Sequence, residues 1–420
     1  MTRLLIIADD LSGAADCAIG FAGAGHRTVV TLDATRLATH EDADTIAVDT
    51  DTRRLTPEAA AARTTAAYAE ICVRGQRLYK KIDSTLRGNW AAEVAGLHAL
   101  VGMAIIAPAF PATGRTVRGG HVYVHGEPLE QTATWQLEHA ERPAGIAEQL
   151  VEAGLRTALL DAEALRDDPQ QLAARIAALA ADGTQALIVD AQSARALSTL
   201  ADVTLRSDAD FFWVGSGGLA REIAALDARD GASAADNASD AFPGGPILIL
   251  VGSLSAVSER QCVVLREQGG VEEWTVPPAV LRRAAGHADW PDWQARIGAA
   301  LGAGRDLLLR IGRDDAFDPA ESMQLSTALA ALVEPHFAKA GGLIATGGET
   351  ARAMLTAARI GNLRLLAEVE AGVAVARPLD AAHPHRPGVV TKAGAFGTDR
   401  ALYAAWRTLR NETGPDVAAR

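Results

Sequence analysis

The stretch "LLIIADDLSGAAD" (residues 4–16) sets the first expectation about the fold. An apolar run passes directly into two carboxylates, Asp9 and Asp10, and then into small residues that suit the start of a helix. Such a run is typical of a strand buried on both faces of a parallel sheet. Ligands of open α/β sheets bind beyond the carboxyl ends of such strands, so both aspartates are candidate site residues. The alternative is that Asp10 or Ser12 only caps the helix.

Similar strand-like runs recur along the whole chain, separated by Ala-rich helical stretches. They lie at 28–32, 45–49, 77–81, 103–107, 157–160, 186–190, 211–215, 247–251, 271–276, 306–312, 342–346 and 388–391. Alternation of this kind predicts an α/β fold built from doubly wound, mostly parallel sheets.

One segment interrupts the alternation and is the best candidate for a linker. "RDGASAADNASDAFPGGP" is rich in Ala, Ser, Asp and Gly and has no apolar period. We therefore expect a first domain at 1–229, a linker at 230–246 and a second domain at 247–420. A ligand cleft between the two domains is the default site for such a protein.

Composition and charge narrow the class of protein. The chain has 420 residues, 49% hydrophobic and 22% charged, with a formal net charge of −12. This charge argues against nucleic acid or an anionic membrane as a partner, but it leaves room for a small anionic ligand bound by local Arg and Lys. The three cysteines, Cys17, Cys72 and Cys262, have no CxxC spacing, which argues against disulfides or a Cys-based zinc site. No signal segment or long apolar run is evident, so we expect a cytoplasmic protein.

The stretch "YKKIDSTLRGNW" brings charges and hydroxyls together after the fourth strand-like run. The apolar period that begins at Leu86 predicts a helix there, with Asp83 or Ser84 as its N-cap and Arg87 one turn into it. A helix start beside Lys81 and Arg87 would bind an anion. The alternative is simple capping beside a solvated pair of lysines.

Two further polar stretches belong to the first half. In "VDTDTRRL", Asp49 or Asp51 could bind hydroxyls and Arg53 could bind a carboxylate bidentately, although an ordinary polar loop is the alternative. In "PAFPATGRTVRGGHVYVHGEPL", Pro and Gly turns surround Arg115 and Arg118, which predicts a long shaped loop and a hairpin.

Three strand-to-helix turns in the second half are small or glycine-rich, which lets a ligand approach backbone N–H groups closely. Together they predict a nucleotide phosphate site. None matches the P-loop or the dinucleotide-binding pattern. The turns contain Ser253 and Ser255; Gly347, Gly348, Glu349 and Thr350; and Lys392, Gly394 and Gly397.

Seven stretches, in order, resemble the four-carbon acid sugar kinase family over nearly the whole chain. They are "IIADDLSGAADCA", "DTDTR", "KKIDSTLRGN", "PAFPATGRTVRGGHVYVHGEPL", "VGSLSAVSERQ", "ATGGETA" and "TKAGAFG". The resemblance implies a first domain that binds a sugar acid of the threonate, erythronate or 3-oxo-tetronate type. It also implies a second domain that binds ATP, and phosphorylation of a hydroxyl of the acid.

The resemblance and the polar stretches together assign roles to residues. Phosphoryl transfer requires alignment, charge neutralisation and a place for the hydroxyl proton, and Mg²⁺ would bridge the ATP oxygens. Asp10 or Asp83 would orient or deprotonate the hydroxyl, and Lys81 would neutralise charge. The substrate-binding candidates are Asp9, Asp51, Arg53, Ser84, Arg87 and Arg115. The ATP-binding candidates are Ser253, Ser255, Gly347, Gly348, Glu349, Thr350 and Gly394.

Three alternatives stay open at this stage. The chain could act on a related branched or oxo sugar acid. It could be a phosphatase with an aspartyl nucleophile, although the adjacent pair Asp9 and Asp10 has the wrong spacing for that loop. It could also be a non-catalytic sugar-acid receptor. An Ala-rich helical surface would allow a homodimer.

Overall fold

The computed structural model describes residues 4–35, 42–73, 75–132, 135–136, 142–207, 209–228, 241–316, 318–379, 385–394 and 396–412. Most of the predicted linker, residues 230–240, lies outside the described residues. The chain forms two compact units. Unit 1 comprises Met1–Thr28 and Asp33–Gly231, and unit 2 comprises Val29–Leu32 and Ala232–Arg420.

The strands follow the predicted runs closely. They are β1 (Leu4–Ala8), β2 (Thr28–Thr31), β3 (Thr45–Asp49), β4 (Arg77–Lys81), β5 (Met103–Ala107), β6 (Arg115–Arg118), β7 (His121–Val124), β8 (Glu127–Pro128), β9 (Thr157–Leu160), β10 (Ala186–Val189), β11 (Phe211–Gly215), β12 (Ile247–Val251), β13 (Glu272–Val276), β14 (Leu307–Ile311), β15 (Gly342–Thr346), β16 (Asn362–Glu370), β17 (Val373–Pro378) and β18 (Gly388–Lys392).

Helices alternate with most of these strands. They are α1 (Leu11–Gly23), α2 (Pro57–Ile71), α3 (Trp90–Val101), α4 (Ile146–Glu152), α5 (Pro169–Ala181), α6 (Ala194–Leu205), α7 (Gly217–Leu226), α8 (Ala256–Gly269), α9 (Pro278–Arg283), α10 (Trp290–Gly302), α11 (Ser322–Phe337), α12 (Gly348–Ala357) and α13 (Ala401–Leu409). Among the described residues, no helix is both long and apolar enough to cross a membrane.

The sheet of unit 1 is parallel and has the strand order β3-β1-β4-β11-β5-β10-β9. Its central strands are buried along their whole length, which explains their continuous apolar sequence. The register pairs Ala8 with Asp49 on one side and with Lys81 on the other. The polar residues that follow β1, β3 and β4 therefore meet at one edge of the sheet. A separate antiparallel hairpin, β6–β7–β8, confirms the hairpin predicted around Arg115.

The sheet of unit 2 mixes parallel and antiparallel strands. Strands β13, β14, β12, β15 and β18 are parallel in that order, and β17 and β16 continue the sheet antiparallel. Strand β2 pairs antiparallel with β16, which is why Val29–Leu32 belongs to unit 2. The predicted α/β class with mostly parallel sheets is confirmed, but the β16–β17 hairpin was not predicted.

The prediction that a helix begins at Leu86 is wrong. Helix α3 begins at Trp90, after Asn89, and the residues between β4 and Asn89 form a loop. Leu86 has φ 56 and Gly88 has φ 84, and this left-handed backbone cannot continue a right-handed helix. Asp83 and Ser84 therefore cap no helix, and Arg87 lies in the loop.

Candidate functional site

The two carboxylates after β1 are held by one guanidinium from the loop after β3. Arg53 donates to Asp9 bidentately, from Nε to Oδ2 at 2.7 Å and from Nη2 to Oδ1 at 3.0 Å. Its Nη1 donates to Asp10 Oδ2 at 3.1 Å. The other oxygen of Asp10 accepts from the Gly13 N–H at 2.9 Å, so Asp10 is also the N-cap of α1. Both roles considered for Asp10, helix cap and site residue, are thus compatible with its position.

The opposite charges of Arg53 and the two aspartates keep Asp9 and Arg53 ionised. Burial alone would raise the pKa of Asp9, but the charges of Arg53, Lys80 and Lys81 and the Arg53 hydrogen bond hold that pKa below its ordinary value. Burial would lower the pKa of Arg53, but the neighbouring carboxylates, Asp10 and Asp9 foremost, raise it well above its ordinary value. Asp9 therefore stays ionised and Arg53 stays charged at neutral pH.

Asp83 organises the loop that follows β4. One carboxylate oxygen accepts from the Thr85 N–H at 2.8 Å and from the Thr85 hydroxyl, and the other accepts from Arg87 Nη2 at 2.7 Å. Arg53 Nη2 lies 3.9 Å from the same carboxylate. Burial would raise the pKa of Asp83, but Arg87, Arg53 and Lys81 hold it well below its usual range. Asp83 is thus a strong hydrogen-bond acceptor and a weak base.

Lys81 lies against the start of α1. Its ammonium is buried and donates to the Ile82 carbonyl at 2.9 Å. A β-carbon at Gly13 would lie 3.0 Å from Lys81 Nζ and 2.5 Å from Asp10 Oδ1. A larger residue at position 13 would displace the Asp10 carboxylate from this turn, and glycine avoids that displacement.

The remaining substrate candidates of unit 1 lie around this cluster. Arg115, at the start of the hairpin, donates to the Thr113 carbonyl, and its pKa is lowered by burial and by Arg87 while Asp83 opposes the shift. Ser84 is buried in the loop after β4. Asp51 has φ 50, and its N–H donates to the Asp49 carboxylate at 2.9 Å. The structure therefore joins most of the predicted residues into one charged cluster, which we call the acid site: Asp9, Asp10, Arg53, Lys81, Asp83, Arg87 and Arg115.

In unit 2, the turns after β12 and β18 are joined through serine hydroxyls. Ser253 Oγ donates to Ser255 Oγ at 3.1 Å, and Ser255 caps α8 by accepting from the Ser258 N–H at 3.1 Å. The Gly394 carbonyl accepts from Ser255 Oγ at 3.2 Å and from Ser258 Oγ at 2.8 Å. A β-carbon at Gly394 would lie 2.5 Å from Ser253 Oγ, so glycine is required for this close approach.

The turn between β15 and α12 adjoins the same strand ends. Gly347, with φ 92, donates its N–H to the Lys392 carbonyl at 2.8 Å. The Thr350 hydroxyl lies 3.0 Å from Ser326 Oγ, and a β-carbon at Gly252 would overlap it. Gly348 begins α12, whose first N–H groups are suited to a phosphate.

Glu349 faces away from the turns toward α11, where its Oε2 accepts from Ser322 Oγ at 2.7 Å. Lys392 holds the turn after β18 from within. Its side chain is fully buried, and its ammonium donates to the carbonyls of Ala393, Gly394 and Phe396 at 2.8, 3.0 and 3.0 Å. We call the three turns together, residues 252–255, 347–350 and 392–394, the glycine edge.

Sequence reasoning missed residues that shape both sites. Ser258 lies three residues after Ser255, a spacing that capping motifs could have suggested. Gly88 has φ 84 and would place a β-carbon 2.8 Å from Asp9 Oδ2, but no sequence signal distinguishes it from a turn glycine. No group of three or more His, Cys, Asp or Glu side chains able to hold a metal occurs among the described residues.

Comparison with known proteins gives a consistent result. The family model described as a sugar-binding N-terminal domain matches residues 4–223, and the one described as a nucleotide-binding C-terminal domain matches residues 248–402. A D-threonate kinase of Cupriavidus necator is 52% identical, covering 98% of this chain and 99% of that protein. A D-threonate kinase of Bordetella bronchiseptica is 33% identical (96% and 97%), and a 3-oxo-tetronate kinase of Methylobacterium radiotolerans is 28% identical (93% and 95%).

Solved structures support the fold. A Salmonella typhimurium protein has a TM-score of 0.80 at 22% identity, covering 97% of this chain and 99% of that chain. A Haemophilus influenzae protein has a TM-score of 0.71 at 20% identity, covering 96% and 100%. The fold is that of a two-unit α/β protein, and the matching family models describe its two parts as a sugar-binding and a nucleotide-binding domain. The chain belongs to the four-carbon acid sugar kinase family, as its motifs predicted.

Proposed function

We propose that this protein is an ATP-dependent kinase that phosphorylates a hydroxyl of a four-carbon sugar acid, and that the acid is D-threonate. The observation that carries the proposal is the acid site, on a chain that is 52% identical over 98% of its length to a D-threonate kinase. More distant relatives are named for D-threonate, 3-oxo-tetronate or D-erythronate, so the kinase class is common to them and the acid differs.

The acid site has the groups that a hydroxylated carboxylate requires. Arg87 and Arg115 are the candidates for the substrate carboxylate, since a guanidinium matches its geometry bidentately. Arg53 is occupied by Asp9 and Asp10, so it acts by fixing those two side chains. Asp9, with both oxygens bound to Arg53, is a support rather than a base.

The attacking hydroxyl is best placed against Asp10 or Asp83. The low pKa of Asp83 makes it an acceptor that orients the hydroxyl. Of the two carboxylates bound to Arg53, Asp10 is more solvent-accessible than Asp9. Asp10 is therefore the better candidate to accept the hydroxyl proton. Because the transition state of phosphoryl transfer is loose, alignment and charge matter more than base strength. Lys81 would neutralise charge on the transferred phosphoryl group.

The glycine edge would bind ATP. Ser253, Ser255 and Gly394 lie at two of its turns. The residues after Gly347 form the first turn of α12, and the N–H groups of a helix start favour a phosphate. Glu349 is directed to Ser322 and would act by holding the turn. Mg²⁺ would be carried mainly by the ATP phosphates and water, since it binds kinase sites with few protein carboxylates.

Two alternatives are less well supported. An aspartyl nucleophile requires a carboxylate oxygen available for attack, whereas Asp9 is fully engaged and Asp10 is shared between a helix cap and Arg53. A receptor would bind the acid without consuming ATP. Location in the cytoplasm and a homodimer stay predictions, and both are accessible to fractionation and light scattering.

A substrate panel tests the proposal directly. ATP consumption by the purified protein is measured with D-threonate, L-threonate, D-erythronate and 3-oxo-tetronate, and each product is identified by mass and NMR. We expect kcat/KM to be highest with D-threonate. A higher value with another acid would correct the substrate but not the class. Absence of ATP-dependent phosphorylation with every acid would refute the kinase. A phospho-enzyme formed from a phosphorylated sugar acid added in place of ATP would favour the phosphatase.

A further inference from the structure

An ion pair lies buried beneath the acid site. Lys80 Nζ, on β4, lies 2.9 Å from Glu93 Oε2, on α3, and both side chains are 0% exposed. Removing two charges from water costs about as much as their attraction returns, so a buried pair is weak evidence for stabilisation. The role of the pair therefore depends on the groups that Glu93 binds.

The second oxygen of Glu93 connects two hydroxyls from different elements. Glu93 Oε1 accepts from Thr52 Oγ1 at 2.5 Å and from Thr64 Oγ1 at 3.0 Å. Thr64 belongs to α2, whereas Thr52 immediately precedes Arg53 in the loop after β3. Both threonines are fully buried, so neither hydroxyl has water as an alternative partner.

The same threonine is fixed through its backbone. The Thr52 N–H donates to the Asp9 carbonyl at 3.2 Å, and Asn89 Nδ2 donates to the carbonyls of Thr52 and Leu55 at 3.1 and 2.8 Å. Glu93 of α3 and Asn89, which precedes that helix, thus hold the loop through the side chain and the backbone of Thr52. Arg53 extends from the same loop.

We propose that Glu93 is a positioning residue for the acid substrate. Its carboxylate, neutralised by Lys80, fixes Thr52 and so sets the position from which Arg53 aligns Asp9 and Asp10. Glu93 does not touch the substrate and acts only through Thr52. Because Arg53 serves the acid site, the effect falls on binding of the sugar acid and not on binding of ATP. The inference rests on the function proposed above.

The chain offers a matched pair of variants. Glu93→Gln would leave the Lys80 charge unpaired in the core and can prevent folding, so Thr52→Val is preferred, with Thr64→Val as its control. Each removes one hydroxyl from the same Glu93 oxygen and leaves the ion pair intact. Thr52→Val also removes the contact between Thr52 Oγ1 and Thr50 Oγ1 at 3.0 Å. We expect Thr52→Val to raise KM for the sugar acid about tenfold, the equivalent of one buried hydrogen bond. The KM for ATP should be unchanged, and Thr64→Val should leave both constants near the wild-type values.

The outcomes separate positioning from simple stability. Thr52→Val should lower the melting temperature at least as much as Thr64→Val, because Thr52 Oγ1 also lies 3.0 Å from Thr50 Oγ1. A role in stability alone predicts that both variants leave the KM for the sugar acid unchanged in the folded protein. Equal changes in the sugar-acid KM, or no change in either variant, would overturn the inference. The Kd of the preferred acid, measured by calorimetry without ATP, provides the same comparison without turnover. A wild-type protein that binds the acid but transfers no phosphate would refute the proposed function and leave this test intact.

Discussion

We expect alkaline pH to weaken ATP binding at the glycine edge, because Lys392 loses its proton there. Lys392 donates from its ammonium to three carbonyls of a single turn, and a neutral amine has only two hydrogens to donate. Loss of the proton therefore releases at least one carbonyl. We expect the turn that contains Gly394 to lose its fixed shape, and ATP to bind less tightly to the relaxed turn.

The pH at which this happens follows from the surroundings of the lysine. Burial lowers the pKa of Lys392 from an ordinary value of 10.5 to about 8, although the charge of Glu370 acts to raise it. The Cys262 thiol itself has its pKa raised to about 11, chiefly by burial, so it does not titrate in the same range. Asp9 and Asp83 remain ionised throughout, since their pKa values lie below the ordinary one.

The magnitude follows from the fraction of protein that keeps the ammonium. If only that form binds ATP, the apparent KM rises in inverse proportion to its population, by a factor of about 1.1 at pH 7, about 2 at pH 8 and about 11 at pH 9. The free energy of unfolding responds to pH in the opposite sense to ATP binding. The unfolded chain keeps the proton up to about pH 10.5 while the folded chain loses it near pH 8, so this group makes folding more favourable as pH rises between the two values.

The assay is the KM for ATP at saturating sugar acid between pH 7 and pH 9.5. Lys392→Met is neutral at every pH, so its KM should be independent of pH and at least as high as the wild-type value at pH 9.5. The KM for the sugar acid, measured in the same series, should stay flat. A wild-type KM for ATP that does not change over this range would refute the reasoning, as would a parallel rise in the variant.

Three substitutions test the acid site. Asp10→Asn keeps an effective helix cap, so we expect folding and ATP binding to be retained while turnover falls at least ~100-fold; near-normal turnover would remove Asp10 from the chemistry. Arg53→Lys cannot bind Asp9 bidentately and should cost about 2 kcal/mol in kcat/KM. A wild-type value of kcat/KM would show that the bidentate contact with Asp9 is dispensable. Gly88→Ala should lower the free energy of unfolding by more than Gly75→Ala does, because both have positive φ (84 and 82) but only Gly88 faces the Asp9 carboxylate; equal losses in chemical denaturation would contradict that contact.

The strand pattern and the turn residues were predictable because they are local. Buried parallel strands require continuous apolar residues, and their carboxyl ends collect polar side chains at one edge, so Asp9, Lys81 and Asp83 could be placed near each other in advance. The loop after β4 was not predictable in the same way. Leu86 has a good helical period, but the Asp83 carboxylate draws the chain into a turn through Thr85 and Arg87.

The sequence by itself determined the α/β class, the candidate charges, the glycine-rich turns and the family. Each of these depends on residues that are neighbours along the chain or on the order of motifs. The tertiary structure decided which charges meet: Arg53 binds carboxylates 43 and 44 residues away, and Glu93 reaches Thr52 across 41 residues. It also decided that Val29–Leu32 belongs to unit 2. Such partners are selected by three-dimensional packing and by the cost of a buried charge without a partner, and neither is visible in the local sequence.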